Sequence, residues 1–259
     1  MRFKTFPLLI AATVTLVGIQ DGFGQKLRVI STKKASSPTV SKNREVGSTA
    51  AVIDETLSVL RTRPSLFAES IQRMRRGRKV VIQGVTEADG VKFYKVAAPP
   101  SNIGWVQADA VFGKFRQNDE ERLARLVQAS DGFDQIETAT EFFSLYPNSN
   151  LRPAILLLFG DLLEEVAVKL SRDANNRLHR PEMAASAAPM HSYFLNFVSL
   201  DRYRKLGVVF LFNLSQRAFH YDGTGWKEIV SRFPDSSEAV EARKRLETLK
   251  EKMDTSSAK

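Results

Sequence analysis

The chain has 259 residues, of which 43% are hydrophobic and 26% charged, an ordinary composition for a folded globular protein. It contains no cysteine, which excludes a disulfide framework, a thiolate zinc site, a cysteine nucleophile and the lipidated cysteine of a bacterial lipoprotein. The formal net charge of +9 favours anionic neighbours such as nucleic acid, an acidic membrane surface or a cell-wall polymer, but scattered solubilising Lys and Arg residues are the preferred explanation, because the longest tight basic cluster, Arg73–Lys79, is short.

Residues 1–24 have the pattern of a secretory signal. Two basic residues precede an apolar run from Phe6 to Ile19, and small glycines suit cleavage before Gln25. The run is shorter than the roughly 20 residues that a membrane-spanning helix needs. We therefore predict cleavage and export to the periplasm or beyond, with an uncleaved anchor as the alternative. Residues 25–49 are polar and basic with few apolar side chains, and we predict a flexible linker there.

Residues 50–113 predict a small all-β domain. Short runs rich in β-branched and aromatic residues alternate with Gly, Pro, Asn and Asp, a pattern typical of several short strands. Asp89-Gly90 separates two of these runs and has the composition of a two-residue hairpin turn. We therefore expect a barrel or a sandwich of short antiparallel strands.

The order of motifs in this region resembles a bacterial SH3-type domain. The resemblance rests on Leu57-Ser58-Val59-Leu60-Arg61, Arg76-Gly77 before Val80-Val81-Ile82, Phe93-Tyr94-Lys95-Val96 and Gly104-Trp105-Val106. It implies a five-stranded small barrel in a cell-envelope protein, with peptide or peptidoglycan as the proposed ligand. The segment Leu66 to Met74 departs from the family pattern, in which a tight turn commonly stands at this place.

Four residues of this region are predicted to contact a ligand. Tyr94 and Trp105 are candidates for an aromatic stacking surface, and membership of the barrel core is the alternative. Arg76 and Arg78 belong to the basic cluster Arg73–Lys79, which is either a rim for an anionic polymer or an ordinary solvated face. We predict no catalytic residue, no cofactor and no metal ligand.

After Phe112 the apolar residues recur with a helical period. Asn118 and Glu121 have the spacing of a capping box at the start of the first helix. Further helices are predicted at about 133–145, 151–178, 193–217, 226–232 and 236–252, followed by a disordered tail at 254–259, and a break near Ser199 is the alternative to one continuous helix at 193–217.

An internal repeat links the helical half. Glu141–Ser149 matches Glu228–Ser236 at four identical positions, and in each copy an apolar helix ends at an aromatic residue before Pro. This junction resembles that of degenerate tetratricopeptide-like repeats. We therefore predict a multidomain fold class, a small SH3-like all-β barrel plus an all-α tetratricopeptide-like helical domain at 114–253. A plain irregular helical bundle is the alternative to the repeat.

Candidate catalytic groups are sparse. Asp161 and Glu165 share one helix face, but with Lys169 a turn further on we expect a solvated stripe and a Glu165–Lys169 pair. The histidines have no carboxylate or serine motif beside them in the sequence; they are His179, His191 and His220.

The sequence therefore predicts an exported, non-enzymatic binding or scaffold protein of the bacterial cell envelope. Its partner would be a protein or peptide, or peptidoglycan, bound by the barrel, with the helical domain as a protein-interaction surface. No nucleic acid partner and no membrane span after signal cleavage are expected. The alternative is a cell-wall hydrolase, or its non-catalytic targeting or regulatory subunit. The identity of the partner and the oligomeric state stay open.

Overall fold

The structure is a computed structural model that describes residues 44–100, 102–178 and 189–254. The predicted signal segment, most of the predicted linker and the tail beyond Asp254 lie outside the described residues. The last part of the predicted linker, residues 44–48, forms a turn against the sheet. There the Gly47 amide donates to the Ile82 carbonyl at 2.8 Å, and Lys92 pairs with Glu45 at 2.7 Å.

The first sheet is a curled antiparallel half-barrel of seven strands in the order β3-β2-β6-β5-β4-β1-β7. Its strands are β1 (Thr49–Val52), β2 (Val59–Arg61), β3 (Ser70–Arg73), β4 (Lys79–Ala88), β5 (Val91–Ala98), β6 (Asn102–Gln107) and β7 (Val111–Phe112). The predicted hairpin turn at Asp89-Gly90 is confirmed: it joins β4 to β5, and both residues have the positive φ of such turns, 53° and 70°. The segment Leu66–Met74, predicted as an insertion, supplies the edge strand β3.

The rest of the chain mixes helices with a second sheet. The helices are α1 (Asp119–Ala129), α2 (Gly132–Leu145), α3 (Arg152–Leu178), α4 (Met190–Leu195), α5 (Asp201–Arg204), α6 (Thr224–Arg232) and α7 (Ser237–Asp254). The second sheet is an antiparallel hairpin of β8 (Phe210–Asn213) and β9 (Ala218–Tyr221). Short 3-10 turns lie at Ala108–Ala110 and Val198–Leu200.

The predicted fold class, an all-β barrel plus an all-α repeat domain, is wrong. The described residues form a mixed α/β fold and show no separate all-α repeat domain. The physical reason is a shared core: Ala51 and Phe112 of the first sheet, and Ile53 directly after β1, are buried in the same apolar cluster as the helices. The described residues accordingly all belong to one compact unit.

The predicted helix at 193–217 is also wrong. Only the short α4 and α5 are helical there, and the hairpin of β8 and β9 follows. The run Val208–Phe212 is apolar, β-branched and aromatic, and a short apolar run fits a strand as well as a buried helix turn.

The start of α1 is stabilised by other hydrogen bonds than those of the predicted capping box. Among the described residues, Asn118 makes no side-chain hydrogen bond to cap the helix. The buried Asp119 carboxylate instead accepts the Gly113 amide at 3.0 Å and pairs with Arg116 and Arg122, each at 2.9 Å. This cluster fixes the chain where the first sheet passes into the helices.

The two copies of the internal repeat have the same junction geometry. Each helix ends with an aromatic amide bonded to the carbonyl four residues earlier, at Tyr146 and at Phe233, both at 2.9 Å. The junctions are neighbours in space, because Arg232 reaches the Pro147 carbonyl at 3.3 Å. The predicted helix ends at an aromatic residue before Pro are therefore confirmed, and they connect helices of one mixed core.

Candidate functional site

One face of the first sheet leaves apolar side chains uncovered. Strand register places Val81, Ala97 and Ile103 side by side on β4, β5 and β6. Val81 is 42% exposed and Ile103 54% exposed, whereas Ile82 and Val96 on the opposite face are fully buried. Side chains alternate between the two faces of a strand, so the sheet has an inner core face and an outer face that is open around Val81 and Ile103 but covered at Phe93, which is fully buried.

A second row on the outer face combines an aromatic ring with two cations. Lys95 of β5 and Arg61 of β2 are the register partners of Trp105 on either side of β6. Trp105 is half-buried and Lys95 is exposed. We name Val81, Ala97, Ile103, Lys95 and Trp105 the open face. Such a surface offers contact area to an apolar group and positive charge to a carboxylate.

The loop between β2 and β3 is firmly held beside this sheet. The Asp89 carboxylate accepts the Ser65 hydroxyl at 2.7 Å and the Leu66 amide at 2.8 Å, and these bonds lower the pKa of Asp89. At the other end of the loop, Arg61 donates to the Ala68 carbonyl at 2.8 Å. Phe67, between these anchors, is 90% exposed and adds a projecting apolar side chain.

Tyr94, predicted to share a stacking surface with Trp105, lies on the inner face and is fully buried. Its register partner is Val106, and its ring meets that of Phe115 edge to face at 6.0 Å. Burial raises the pKa of Tyr94, and the Arg116 charge offsets this only in part. The structure therefore does not bring the two predicted aromatics together on one surface.

The two predicted arginines make contacts within the protein. Arg76 donates to the Ile53 carbonyl at 3.0 Å and pairs with Glu137 of α2 at 3.1 Å, which joins the sheet to the helices. Arg78 donates to the Pro99 carbonyl. Burial raises the pKa of Glu137 despite the Arg76 charge. Of the predicted site residues, Trp105 is therefore the one on the open face.

A pocket of about 160 Å³ lies between α2, α3, α6 and the segment directly before β8. Its walls are mainly apolar, and they include Phe143, Leu156, Phe159, Leu206, Val208 and Tyr221. Arg152 at its edge binds Glu228 through two bonds of 2.7 and 3.1 Å and donates to the Phe143 carbonyl at 3.1 Å. Burial opposes ionisation of Glu228, but Arg152 and Arg232 outweigh it and lower the pKa of Glu228.

A second polar cluster was missed by sequence reasoning. Glu164 of α3 contacts His220 Nδ1 at 2.9 Å and Lys252 Nζ at 2.7 Å, and it accepts the Tyr221 amide at 2.9 Å. Burial opposes ionisation, yet the hydrogen bonds from His220, Lys252 and the Tyr221 amide lower the pKa of Glu164 to about 2. The cluster ties β9 and α7 to α3. No sequence signal marks it, because Glu164 and His220 are 56 residues apart.

The other polar residues that were considered on α3 do not form a common site with the other histidines. Asp161 pairs with Arg245 of α7 at 3.0 Å. Among the described residues, Glu165 and Lys169 form no ion pair, so their predicted pair is wrong. His191 contacts the Phe212 ring, and His179 lies outside the described residues.

In residues 44–100, 102–178 and 189–254, no group of three His, Asp or Glu side chains could hold a metal ion. None of the helices in these residues combines the length and hydropathy that crossing a membrane requires.

Comparison with known proteins gives no match. The chain matches no protein-family model, no curated protein and no solved structure. The geometry of the open face is therefore the basis for a functional proposal.

Proposed function

We propose that the chain is an exported, non-enzymatic binding protein of the bacterial cell envelope, and that its open face binds an anionic peptide or peptidoglycan. The observation that carries the proposal is the position of Trp105 between Lys95 and Arg61, beside an uncovered apolar row. Export rests on the signal-like pattern of residues 1–24.

The chemistry of the open face fits ligands that carry both methyl groups and carboxylates. The indole of Trp105 and the side chains of Val81 and Ile103 provide apolar contact, which is non-directional and tolerates varied ligands. Lys95 and Arg61 would donate charge-assisted hydrogen bonds to ligand carboxylates. Each such bond adds only a modest amount to the binding free energy, because the site is open to water. The peptides of peptidoglycan combine alanine methyl groups with free carboxylates.

The resemblance of Gly104-Trp105-Val106 to bacterial SH3-type domains supports the same class of ligand. Gly104 has a physical role in this motif. A Cβ added there would lie 2.8 Å from the Arg61 carbonyl oxygen and 2.8 Å from the Leu60 side chain. Glycine therefore lets β2 approach β6 closely enough to place Arg61 beside Trp105.

A sedimentation assay with purified peptidoglycan tests the proposal. The full chain is expected to co-sediment at low salt, and Trp105→Ala should bind about tenfold more weakly because ring contact is lost. Val240→Ala is the control, because Val240 is an exposed apolar residue that lies on α7. Equal retention of Trp105→Ala and the unaltered chain would rule out the open face as the binding surface.

Lys95→Glu separates charge from ring contact. We expect weaker binding and a shallower decrease in affinity between low and physiological salt, since one cation is replaced by an anion. An affinity independent of salt in both proteins would contradict an anionic ligand at Lys95.

A further inference from the structure

The pocket between α2, α3, α6 and the segment before β8 is walled by aromatic rings. Phe143 and Phe159 meet edge to face at 5.3 Å, and Phe159 and Tyr221 meet in the same way at 6.4 Å. These rings come from α2, α3 and β9, which share one apolar core. Leu156, which is 3% exposed, and Val208, which is 5% exposed, also line the pocket. A group that enters it would therefore contact buried apolar side chains from several elements.

The volume of the pocket limits the size of its ligand. The pocket measures about 160 Å³, close to the roughly 150 Å³ of an apolar cavity that takes up one benzene molecule. Val209, which also lines it, is 52% exposed, so the pocket opens to solvent on this side. One ring or one branched aliphatic group of about six to eight heavy atoms therefore fits inside, and a substituent can extend to the opening.

A buried hydroxyl group lies among these apolar walls. The Tyr221 hydroxyl oxygen accepts the Gly225 amide at 2.7 Å, and Gly225 also lines the pocket. Burial raises the pKa of Tyr221, so the hydroxyl keeps its proton at neutral pH. Among the described residues, no acceptor takes this proton in a hydrogen bond. A buried donor of this kind gains a hydrogen bond when a ligand brings an acceptor to it.

The charged residues at the pocket are bonded to other protein groups. Arg152 and Glu228 bind each other through two hydrogen bonds, and the Asp222 carboxylate accepts the amide of Thr224 at 3.0 Å and its hydroxyl. The lining holds one positive and two negative charges, and Arg232, which binds Glu228 at 2.6 Å, makes the balance two and two. An ionic ligand would therefore lose its water without gaining a free partner of opposite charge.

We propose that this pocket binds a small uncharged molecule that carries one ring-sized apolar group and one hydrogen-bond acceptor. The apolar group lies against Phe143, Phe159 and Leu156, and the acceptor receives the proton of the Tyr221 hydroxyl. The walls supply most of the binding free energy, and the hydroxyl selects the ligand. The pocket is separate from the open face, and the proposal does not depend on what the open face binds.

Titration of the full chain with four small ring compounds tests the proposal. Acetophenone is neutral and has a carbonyl acceptor, toluene is neutral without one, benzoate is an anion and benzylammonium is a cation. Binding is followed by NMR through the methyl signals of Leu156 and Val208, which line the pocket. Acetophenone should bind at least about tenfold more tightly than either ion. Equal affinity for an ion, or unchanged methyl signals up to the solubility limit of acetophenone, would overturn the proposal.

Tyr221→Phe tests the role of the hydroxyl. Acetophenone should bind about fivefold more weakly to this variant, and toluene should bind as before, because only acetophenone accepts the hydroxyl proton. The same loss for both compounds would show that the hydroxyl does not select the ligand.

Val209→Trp tests the location of the site without changing a buried residue. The indole would narrow the opening, and binding of both neutral compounds should fall about tenfold or more. Val168→Trp is the matched control, because Val168 is 51% exposed and lies on α3 outside the lining of this pocket. Urea unfolding of each variant verifies that the fold is kept. Unchanged binding in Val209→Trp, or an equal loss in Val168→Trp, would assign the compounds to another place on the chain.

Discussion

The two sheets of this molecule bury their side chains in different ways. The seven-stranded sheet curls around a core of its own, which includes Val52, Ile82 and Val96. The two-stranded sheet has no such interior, and its Phe219 and Tyr221 are buried against the helices and their aromatic rings. An isolated two-stranded hairpin is marginally stable in water. The small sheet therefore depends on its neighbours for stability, and the large one depends on them far less.

This difference decides which surface each sheet leaves uncovered. A curled sheet that fills its own inside has no need to cover its whole outer face, so the open face around Trp105 stays available. The hairpin is attached through its β9 edge, which bonds to α3, and through Phe219 and Tyr221, which are buried against the helices.

The largest expected effect on stability comes from a substitution at the contact between α3 and α6. A Cβ at Gly160 would lie 2.2 Å from Trp226 Nε1, so Gly160→Ala forces the helices apart. We expect the free energy of unfolding to fall by about 3 kcal/mol in urea denaturation. Gly84→Ala in the large sheet is the control, because its Cβ meets only the Lys95 Cβ, at 3.5 Å, and should cost less than about 1 kcal/mol. Equal losses would contradict the dependence of the small sheet on helix packing.

A smaller effect is expected at the neighbouring repeated junctions. Arg152→Ala removes the nearly buried partner of Glu228 and leaves that carboxylate with Arg232 alone. We expect the free energy of unfolding to fall by about 2 kcal/mol, because the partly buried Glu228 carboxylate loses a partner that donates two hydrogen bonds to it. Arg232→Ala serves as the matched control, since Arg232 is more exposed, and should cost less than about 1 kcal/mol. The opposite order of the two losses in denaturant unfolding would refute this account.

The smallest effect concerns the pH dependence of the β9 attachment. The pKa of Glu164 is lowered to about 2 in the folded chain, so its contribution is complete above its ordinary pKa of 4.5 and is lost as the pH falls toward 2. In Glu164→Gln, the decrease in the free energy of unfolding on acidification should be smaller by about 1 kcal/mol, a low figure because the carboxylate is partly exposed to water. Stability curves of both proteins between pH 6 and 2 would measure it. Parallel curves would show that Glu164 does not titrate in this range.

Local sequence patterns predicted the elements whose causes are local. The turn at Asp89-Gly90 follows from residues that tolerate positive φ, and α3 follows from a long apolar period between clear end signals. The hairpin at 210–221 could not be recognised, because its strands are stabilised by Ser171 and Glu164 from a distant helix. The shared core was equally hidden, since Phe112 looks the same in sequence whether a barrel or a helix buries it.

The candidate site was predictable only in part for the same reason. Trp105 was singled out by its motif, and the structure places it on the open face. Tyr94 is one residue away from the outward-facing Lys95, and this single step along β5 turns it inward. A motif gives the strand but not its register against the neighbours, so the cations beside Trp105 were missed.

The Asp119 cluster has a consequence for how such a chain can evolve. Its carboxylate accepts the amide of Gly113, the residue that directly follows β7, and binds Arg116, which lies before the helix, and Arg122 in its first turn. A gene split after residue 113 would leave Phe112 without its covering helices and that amide without its acceptor. The sheet is therefore unsuited to transfer between genes as an independent domain. We expect the two halves to be inherited together, and a change at Asp119 to be tolerated only with compensating changes at Arg116 and Arg122.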